Sequence, residues 1–150
     1  MSGMSKIVKT IASIAFPLTL IYGLYIIAHG HLTPGGGFQG GAVAASACAM
    51  VLVAYGSVWT LGRIKEKNLS ILESLGALGF ILLAFLGIGF GAVFFKNVFV
   101  GEFLFGYVPN QGSTIAVFNS GGVLPLMNFA VGLKVIAGSV SYTHLRAHET

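Results

Sequence analysis

Long stretches without a charged residue constrain this chain more than any other feature of its sequence. Residues 10–62, 74–95 and 103–133 contain no Asp, Glu, Lys or Arg, giving charge-free runs of 53, 22 and 31 residues. A helix needs about 20 apolar residues to cross a hydrocarbon core about 30 Å thick. The first run therefore has room for two crossings and the second for one. The third has room for one more, provided that this crossing tolerates Lys134.

The composition supports a membrane location for the whole chain. Hydrophobic residues make up 55% of the 150 residues and charged residues only 8%, whereas a soluble domain carries about 25% charged residues. The formal net charge is +4, but the basic residues are scattered at the ends of apolar runs and form no stripe that would bind nucleic acid. The single cysteine, Cys48, excludes a disulfide within the chain.

We therefore predict an all-α, polytopic membrane protein with about four transmembrane helices in a multi-pass arrangement in the cell membrane. The first apolar stretch is longer than that of a usual signal peptide, and no small-x-small cleavage site follows it closely. The final residues 141–150 turn abruptly polar, and we place the transmembrane domain at 1–140. The predicted spans are about 11–28, 38–62, 73–95 and 123–140.

The positive residues that flank these spans predict the orientation. With both chain ends in the cytoplasm, six of the seven Lys and Arg residues outside the spans are cytoplasmic, and only Lys96 is external. Cytoplasmic loops of membrane proteins carry such an excess of Lys and Arg. The turn that joins the first two spans is then external.

That turn is rich in glycine and runs into a span with a small-residue face. Residues 35–40 match the G-x-G-x-x-G pattern, but a dinucleotide site also needs a preceding strand and an acidic residue about 20 positions later, and neither is present. The spacing of Gly36 with Gly40 and of Gly37 with Gly41 is typical of closely packed membrane helices. A second interpretation stays open, because a helix N-terminus at membrane depth can serve an ion site.

Four ionisable residues are candidates for an ion path. His29 and His31 are too few ligands for zinc or iron, so we predict no metal and treat them as interfacial groups that could relay protons. Lys134 lies inside the fourth predicted span, where a lysine costs roughly 2.5–3.5 kcal/mol. It is either a proton-relay residue or a structural cation paired with a carboxylate of another subunit. Glu73 is either the third position of a Ser70-x-x-Glu73 capping box or a carboxylate at the cytoplasmic mouth of a cation path.

Three segments carry a family resemblance. The segment 29–41, HGHLTPGGGFQGG, resembles the signature of the MnhB subunit of the multisubunit Na+/H+ antiporters of the Mrp or Mnh type. The segments 72–78 and 125–135 are similar to later parts of the same family, and the resemblance covers about residues 5–140. The polar residues 141–150 depart from the family pattern and look foreign to the domain. The same domain occurs in the antiporter-like modules of membrane-bound hydrogenases and related respiratory complexes. The family-motif residues are Pro34, Gly35, Gly36, Gly37, Phe38, Gly40 and Gly41.

The resemblance implies an accessory membrane subunit that has no catalysis or cofactor of its own. Its partners would be the lipid bilayer and larger subunits that exchange Na+ for H+, driven by the proton-motive force or by a redox partner. The alternative is a subunit of a hydrogenase-type, redox-driven ion pump. A small channel or membrane enzyme that acts alone is a further class, and activity of the isolated chain would identify it.

Overall fold

Four α-helices make up the described part of the chain. The structure, a computed structural model, describes residues 4–32, 35–56, 59, 66–91, 93–100 and 121–149, with the backbone alone for Glu66 and for 144–149. These residues contain no β-strand. The helices are α1 (Lys6–His29), α2 (Gly36–Tyr55), α3 (Glu66–Gly89) and α4 (Leu124–Glu149).

Each of these helices contains a segment that is long and apolar enough to cross a membrane. Large apolar side chains are exposed all along the bundle, for example Ile7 at 73%, Ile21 at 65% and Leu82 at 59%. Such a surface is stable against lipid or a protein partner but not against water, where a monomer rarely exposes a large apolar patch. The chain is therefore a multi-pass membrane protein, and the predicted all-α fold with four spans is confirmed.

The first two helices differ from the predicted spans mainly at their ends. α1 begins at Lys6, where the hydroxyl of Ser5 accepts a hydrogen bond from the backbone N–H of Val8 at 3.5 Å. Pro17 lies inside α1 without ending it. α2 ends at Tyr55 and not near residue 62, because Gly56 leaves the helix with a φ of 88°.

The third helix begins before the predicted span, so the capping-box prediction is wrong. α3 already starts at Glu66, and Ser70 and Glu73 therefore lie inside the helix. The hydroxyl of Ser74 donates to the carbonyl of Ser70 at 2.9 Å, a contact of the helix interior. At the other end α3 stops at Gly89, not at Phe95, and the chain folds back so that the Phe95 N–H donates to the Ala84 carbonyl at 3.1 Å.

The last helix, α4, is the centre of the bundle. It contacts α1, α2 and α3, while α3 contacts α4 alone among the described helices. Its helical structure continues past Val140 to Glu149, so the predicted change at residue 141 is one of polarity and not of backbone conformation. Whether 141–150 is foreign to the domain stays a prediction.

Two glycine rows on α2 bring its neighbours close. A methyl group built on Gly40 would lie 2.7 Å from the Gly23 carbonyl oxygen of α1, and one on Gly41 would lie 3.0 Å from the Gly132 carbonyl oxygen of α4. Residues one position apart in a helix are about 100° apart around its axis. Gly40 thus faces α1, and Gly37 and Gly41 face α4, while a methyl group built on Gly36 would meet Asn128 of α4 first, at 3.0 Å.

The two ends of the bundle differ in chemistry. At the end where α1 begins and α2 ends, called the basic end here, the hydroxyls of Ser13 and Tyr55 are hydrogen-bonded at 2.6 Å. The Lys9 ammonium lies 5.8 Å from the centre of the Tyr55 ring, and the Met4 N–H donates to the Ala54 carbonyl at 3.1 Å. At the opposite end, called the histidine end, α1 finishes in His29 and α2 begins at Gly36.

Candidate functional site

Lys134 lies near the middle of α4 and directly on its contact with α3. The apolar part of α4 that could cross a membrane is Leu124–Thr143. A methyl group built on Gly76 of α3 would lie 2.8 Å from the backbone nitrogen of Lys134 and 3.0 Å from its Cβ. The absence of a side chain at Gly76 therefore lets the two backbones meet at Lys134, and the Lys134 side chain is exposed on the surface of the chain.

Glu73 lies on the same contact, one turn of α3 before Gly76. A methyl group built on Gly138 of α4 would lie 3.2 Å from Glu73 Oε1, and the Glu73 side chain is half-buried. Because Glu73 faces Gly138 while Gly76 faces Lys134, the two helices run antiparallel. Both ionisable residues of this contact are thus brought together by the fold.

Glu73 and Lys134 do not neutralise each other. Neither forms a hydrogen bond or an ion pair with another residue in the described part of the chain. In a helix each Cα–Cβ bond tilts toward the helix N-terminus. Since α3 and α4 are antiparallel, the Glu73 side chain leans toward the basic end and the Lys134 side chain toward the histidine end.

The two histidines lie together at the histidine end. His29 is 8% exposed and stacks on Tyr25 with ring centroids 4.9 Å apart. Both ring nitrogens of His31 are buried and accept or donate no hydrogen bond within the described residues. His31 packs under Gly121, where a built methyl group would lie 3.4 Å from its Cδ2. No cluster of three or more potential metal ligands occurs among the described residues.

Two asparagines at the same end were not singled out by the sequence analysis. The Asn97 side chain amide donates to the Gly121 carbonyl at 2.9 Å, and its Oδ1 accepts from the Val123 N–H at 2.7 Å, so Asn97 caps the start of α4. Asn128 lies beside Gly30 and Gly36, and a methyl group built on Gly36 would lie 3.0 Å from its Oδ1. Asn128 could have been recognised from the sequence, because it is a polar residue inside an apolar span.

The candidate residues therefore form two groups, not one. Lys134 and Glu73 lie on the α3–α4 contact, and His29 and His31 lie at the histidine end. Asn128 precedes Lys134 by six residues, which corresponds to about 9 Å along the axis of α4.

The glycine-rich motif lies mostly inside the bundle. Gly36, Gly37, Gly40 and Gly41 are buried against other helices of the same chain, whereas Phe38 is 65% exposed. Gly35 has a φ of 139°, which favours glycine, and a side chain there would meet Gln39. Pro34 lies outside the described residues.

Comparison with known proteins gives a match over nearly the whole chain. The model of a family described as a domain related to the MnhB subunit of Na+/H+ antiporters matches residues 7–141. A putative antiporter subunit mnhB2 of Staphylococcus saprophyticus is 32% identical over 83% of this chain and 88% of its own length. A Na+/H+ antiporter subunit of Bacillus subtilis is 29% identical over 62% of this chain and 64% of its own length.

Two further similarities involve longer proteins. An uncharacterized protein of Methanocaldococcus jannaschii is 36% identical over 92% of this chain, and the chain spans about half, 52%, of that relative's length. The fold is also similar to a chain of the membrane-bound sulfane sulfur reductase, an archaeal respiratory membrane complex. The TM-score is 0.69 at 27% identity, over 96% of this chain and 61% of that one.

Proposed function

The chain belongs to the family of domains related to the MnhB subunit of Na+/H+ antiporters, and from this premise we propose that it is an accessory subunit of a multisubunit cation/proton antiporter. The observation that carries the proposal is the family match over residues 7–141, which includes almost all of the four-helix bundle. Relatives named as antiporter subunits in two organisms support it.

The proposed task of the chain is to hold larger subunits in place. The exposed apolar side chains on α1 and α3 offer surfaces for such subunits, while the glycine rows of α2 are occupied by α1 and α4. No catalytic residue, cofactor or metal is part of this proposal.

The second proposed task is to line part of a route for Na+ or H+. Lys134 and Glu73 supply an amino group and a carboxyl group at successive levels of one helix contact, and His29 and His31 supply imidazoles near the membrane surface. Ionisable residues within membrane spans commonly mark such routes. Loss of the Lys134 amine removes one proton-carrying group from the route.

The experiment replaces Lys134 by Ala in the complete antiporter complex. We expect Na+-driven proton movement in everted membrane vesicles to fall by about tenfold or more, the size of effect of removing one proton-transfer group. The tagged chain should still co-purify with its partner subunits in detectable amounts. Lys96→Ala, at the histidine end and outside the spans, serves as the matched control. Full activity of Lys134→Ala would remove this residue from the route.

A second candidate function is a subunit of a redox-driven ion pump. The likeness to a chain of a respiratory membrane complex favours it. Identification of the proteins that co-purify with the tagged chain separates the two candidates. Iron–sulfur subunits among them would favour the redox-driven pump, and large multi-span subunits without them would favour the antiporter.

A further inference from the structure

We propose that the exposed side chain of Lys134 marks the docking site of a partner subunit's membrane-spanning helix, and that this helix carries an Asp or Glu near the middle of the membrane. The inference rests on the proposed function in one respect, namely that the chain works within a complex of several subunits. It adds which surface the partner covers and what chemistry the partner must have.

The first step is the depth of Lys134 in the membrane. The spanning part of α4 is Leu124–Thr143, so that Lys134 lies about 15 Å from its first residue along the axis. Leu124 and Phe129, on the half of α4 that precedes Lys134, are 50% and 63% exposed. The half of the span that precedes Lys134 therefore presents apolar side chains at its surface, and Lys134 lies near the middle of the span.

The second step is that lipid is an unsuitable cover for this group. A charged lysine at the centre of a span costs roughly 2.5–3.5 kcal/mol on insertion scales, and such residues in membrane proteins face a protein interior or a polar cavity. The Lys134 side chain is nevertheless exposed on the surface of this chain. The surface around it is therefore covered by protein and not by lipid when the complex assembles.

The third step is that this chain does not supply the counter-charge from its described spans. Glu73 is the acidic residue on the helix packed against Lys134, but its carboxylate lies over Gly138, one turn of α4 nearer the basic end. The antiparallel helices direct the two side chains apart. Gly76 and Ala130, the other close neighbours at this contact, carry no charge.

Charge complementarity then specifies the partner. A carboxylate at the same depth as the Lys134 ammonium satisfies it with a charge-assisted hydrogen bond, which is stronger than a neutral one. We assign this carboxylate to a different subunit and not to a second copy of the chain. In a second copy the acidic residue of the spans is Glu73, and it is already half-buried against Gly138 of its own α4.

The test begins with photo-crosslinking in membranes that contain the complete complex. A diazirine-bearing lysine analogue that keeps the ammonium replaces Lys134, and a diazirine-bearing apolar residue replaces Phe129 as the control on another face of α4. We expect the analogue at 134 to crosslink to one partner polypeptide within about one helical turn of an Asp or Glu in a membrane span. Crosslinks to lipid alone, to Glu73 of a second copy, or to no defined segment would overturn the proposal.

A charge exchange then tests the pairing itself. Lys134→Glu should lower the amount of this partner retained on the affinity-tagged chain by about tenfold or more, as breaking a buried charge pair does at other interfaces. Replacing the partner carboxylate by Lys should have the same effect, and the two changes together should restore retention. Lys134→Arg should retain the partner as the unchanged chain does. Failure of the double exchange to restore retention, with helicity unchanged, would contradict the pairing.

These outcomes separate the docking site from the proposed function. Specific crosslinking and rescue in a complex without Na+/H+ exchange would leave the docking site standing and overturn the antiporter proposal. Normal Na+/H+ exchange together with crosslinks to lipid alone would leave the antiporter proposal standing and overturn the docking site.

Discussion

At the scale of single residues, a missing side chain decides how closely two helices approach. Gly37 of α2 faces the backbone of α4 so directly that a built methyl group would overlap the Asn128 carbonyl oxygen. Membrane helices are held together by such contacts because lipid tails are as apolar as the side chains, so burial of apolar surface drives association little. Close van der Waals packing is therefore the main source of stability of the contact between α2 and α4.

Gly37→Ala should therefore destabilise the chain strongly. Overpacking a tight contact costs typically 1–3 kcal/mol, and we expect a loss of about 2 kcal/mol in the free energy of unfolding. Unfolding in mixed micelles with increasing SDS, followed by circular dichroism, measures it. Phe38→Leu is the control at the neighbouring exposed position and should change stability by less than about 0.5 kcal/mol. Equal effects of the two substitutions would contradict the close contact of Gly37 with α4.

At the scale of elements, α3 is attached to the bundle through α4 alone among the described helices. Its contact is made at Gly76, where a built methyl group would lie 2.8 Å from the Ala130 carbonyl oxygen, and at Glu73. Gly79 lies on the same side with more room, since a methyl group there would be 3.8 Å from Ala130 Cβ. The two glycines of one helix therefore differ in what they tolerate.

Because of this difference, replacing each glycine by Ala should change the stability of the α3–α4 contact in opposite directions at the two positions. Gly76→Ala should push α3 away from α4 and destabilise that contact by about 1–3 kcal/mol. Gly79→Ala should be neutral or stabilising by up to about 1 kcal/mol, because Ala has the higher helix propensity and fits the space. Hydrogen exchange in micelles should show faster exchange in α3 for Gly76→Ala only, with the amides of α1 and α2 unchanged. Faster exchange spread over all four helices would show that α3 is not a separately attached element.

At the scale of the whole molecule, orientation in the membrane stays a prediction of the charge distribution. The basic end carries Lys6 and Lys9 at the start of α1 and Lys67 at the start of α3, and the histidine end carries Lys96. The positive-inside tendency places the basic end, with both chain ends, in the cytoplasm. The histidines and Asn97 would then lie near the external surface.

Labelling of single cysteines in intact cells tests this orientation. In a Cys48→Ser background, Lys96→Cys, which is exposed at the histidine end, should react with a membrane-impermeant maleimide in intact cells. Lys67→Cys, which is exposed at the basic end, should react only after the cells are opened. The reverse pattern would show that the bundle is inserted the other way round, with the fold itself unaffected.

The sequence alone determined the number of spans, their approximate positions and the family, and the structure and the comparisons confirm the four-helix fold and the MnhB relationship. The number and positions of the spans follow from the length of the apolar runs, which is a local property of the chain, whereas the family rests on the resemblance of segments such as 29–41. Helix ends were less well predicted: the capping-box pattern at Ser70 lies inside α3, since a short motif does not exclude an earlier start.

Only the tertiary structure decided which helices meet. The sequence indicated two glycine rows on α2, but not that Gly40 packs on α1 while Gly37 and Gly41 pack on α4, because identical spacing fits any neighbour. It identified Lys134 and Glu73 separately, and the fold places both on one antiparallel contact while directing their side chains apart. Contacts between distant residues depend on how whole helices pack against one another, which no local pattern of side chains specifies.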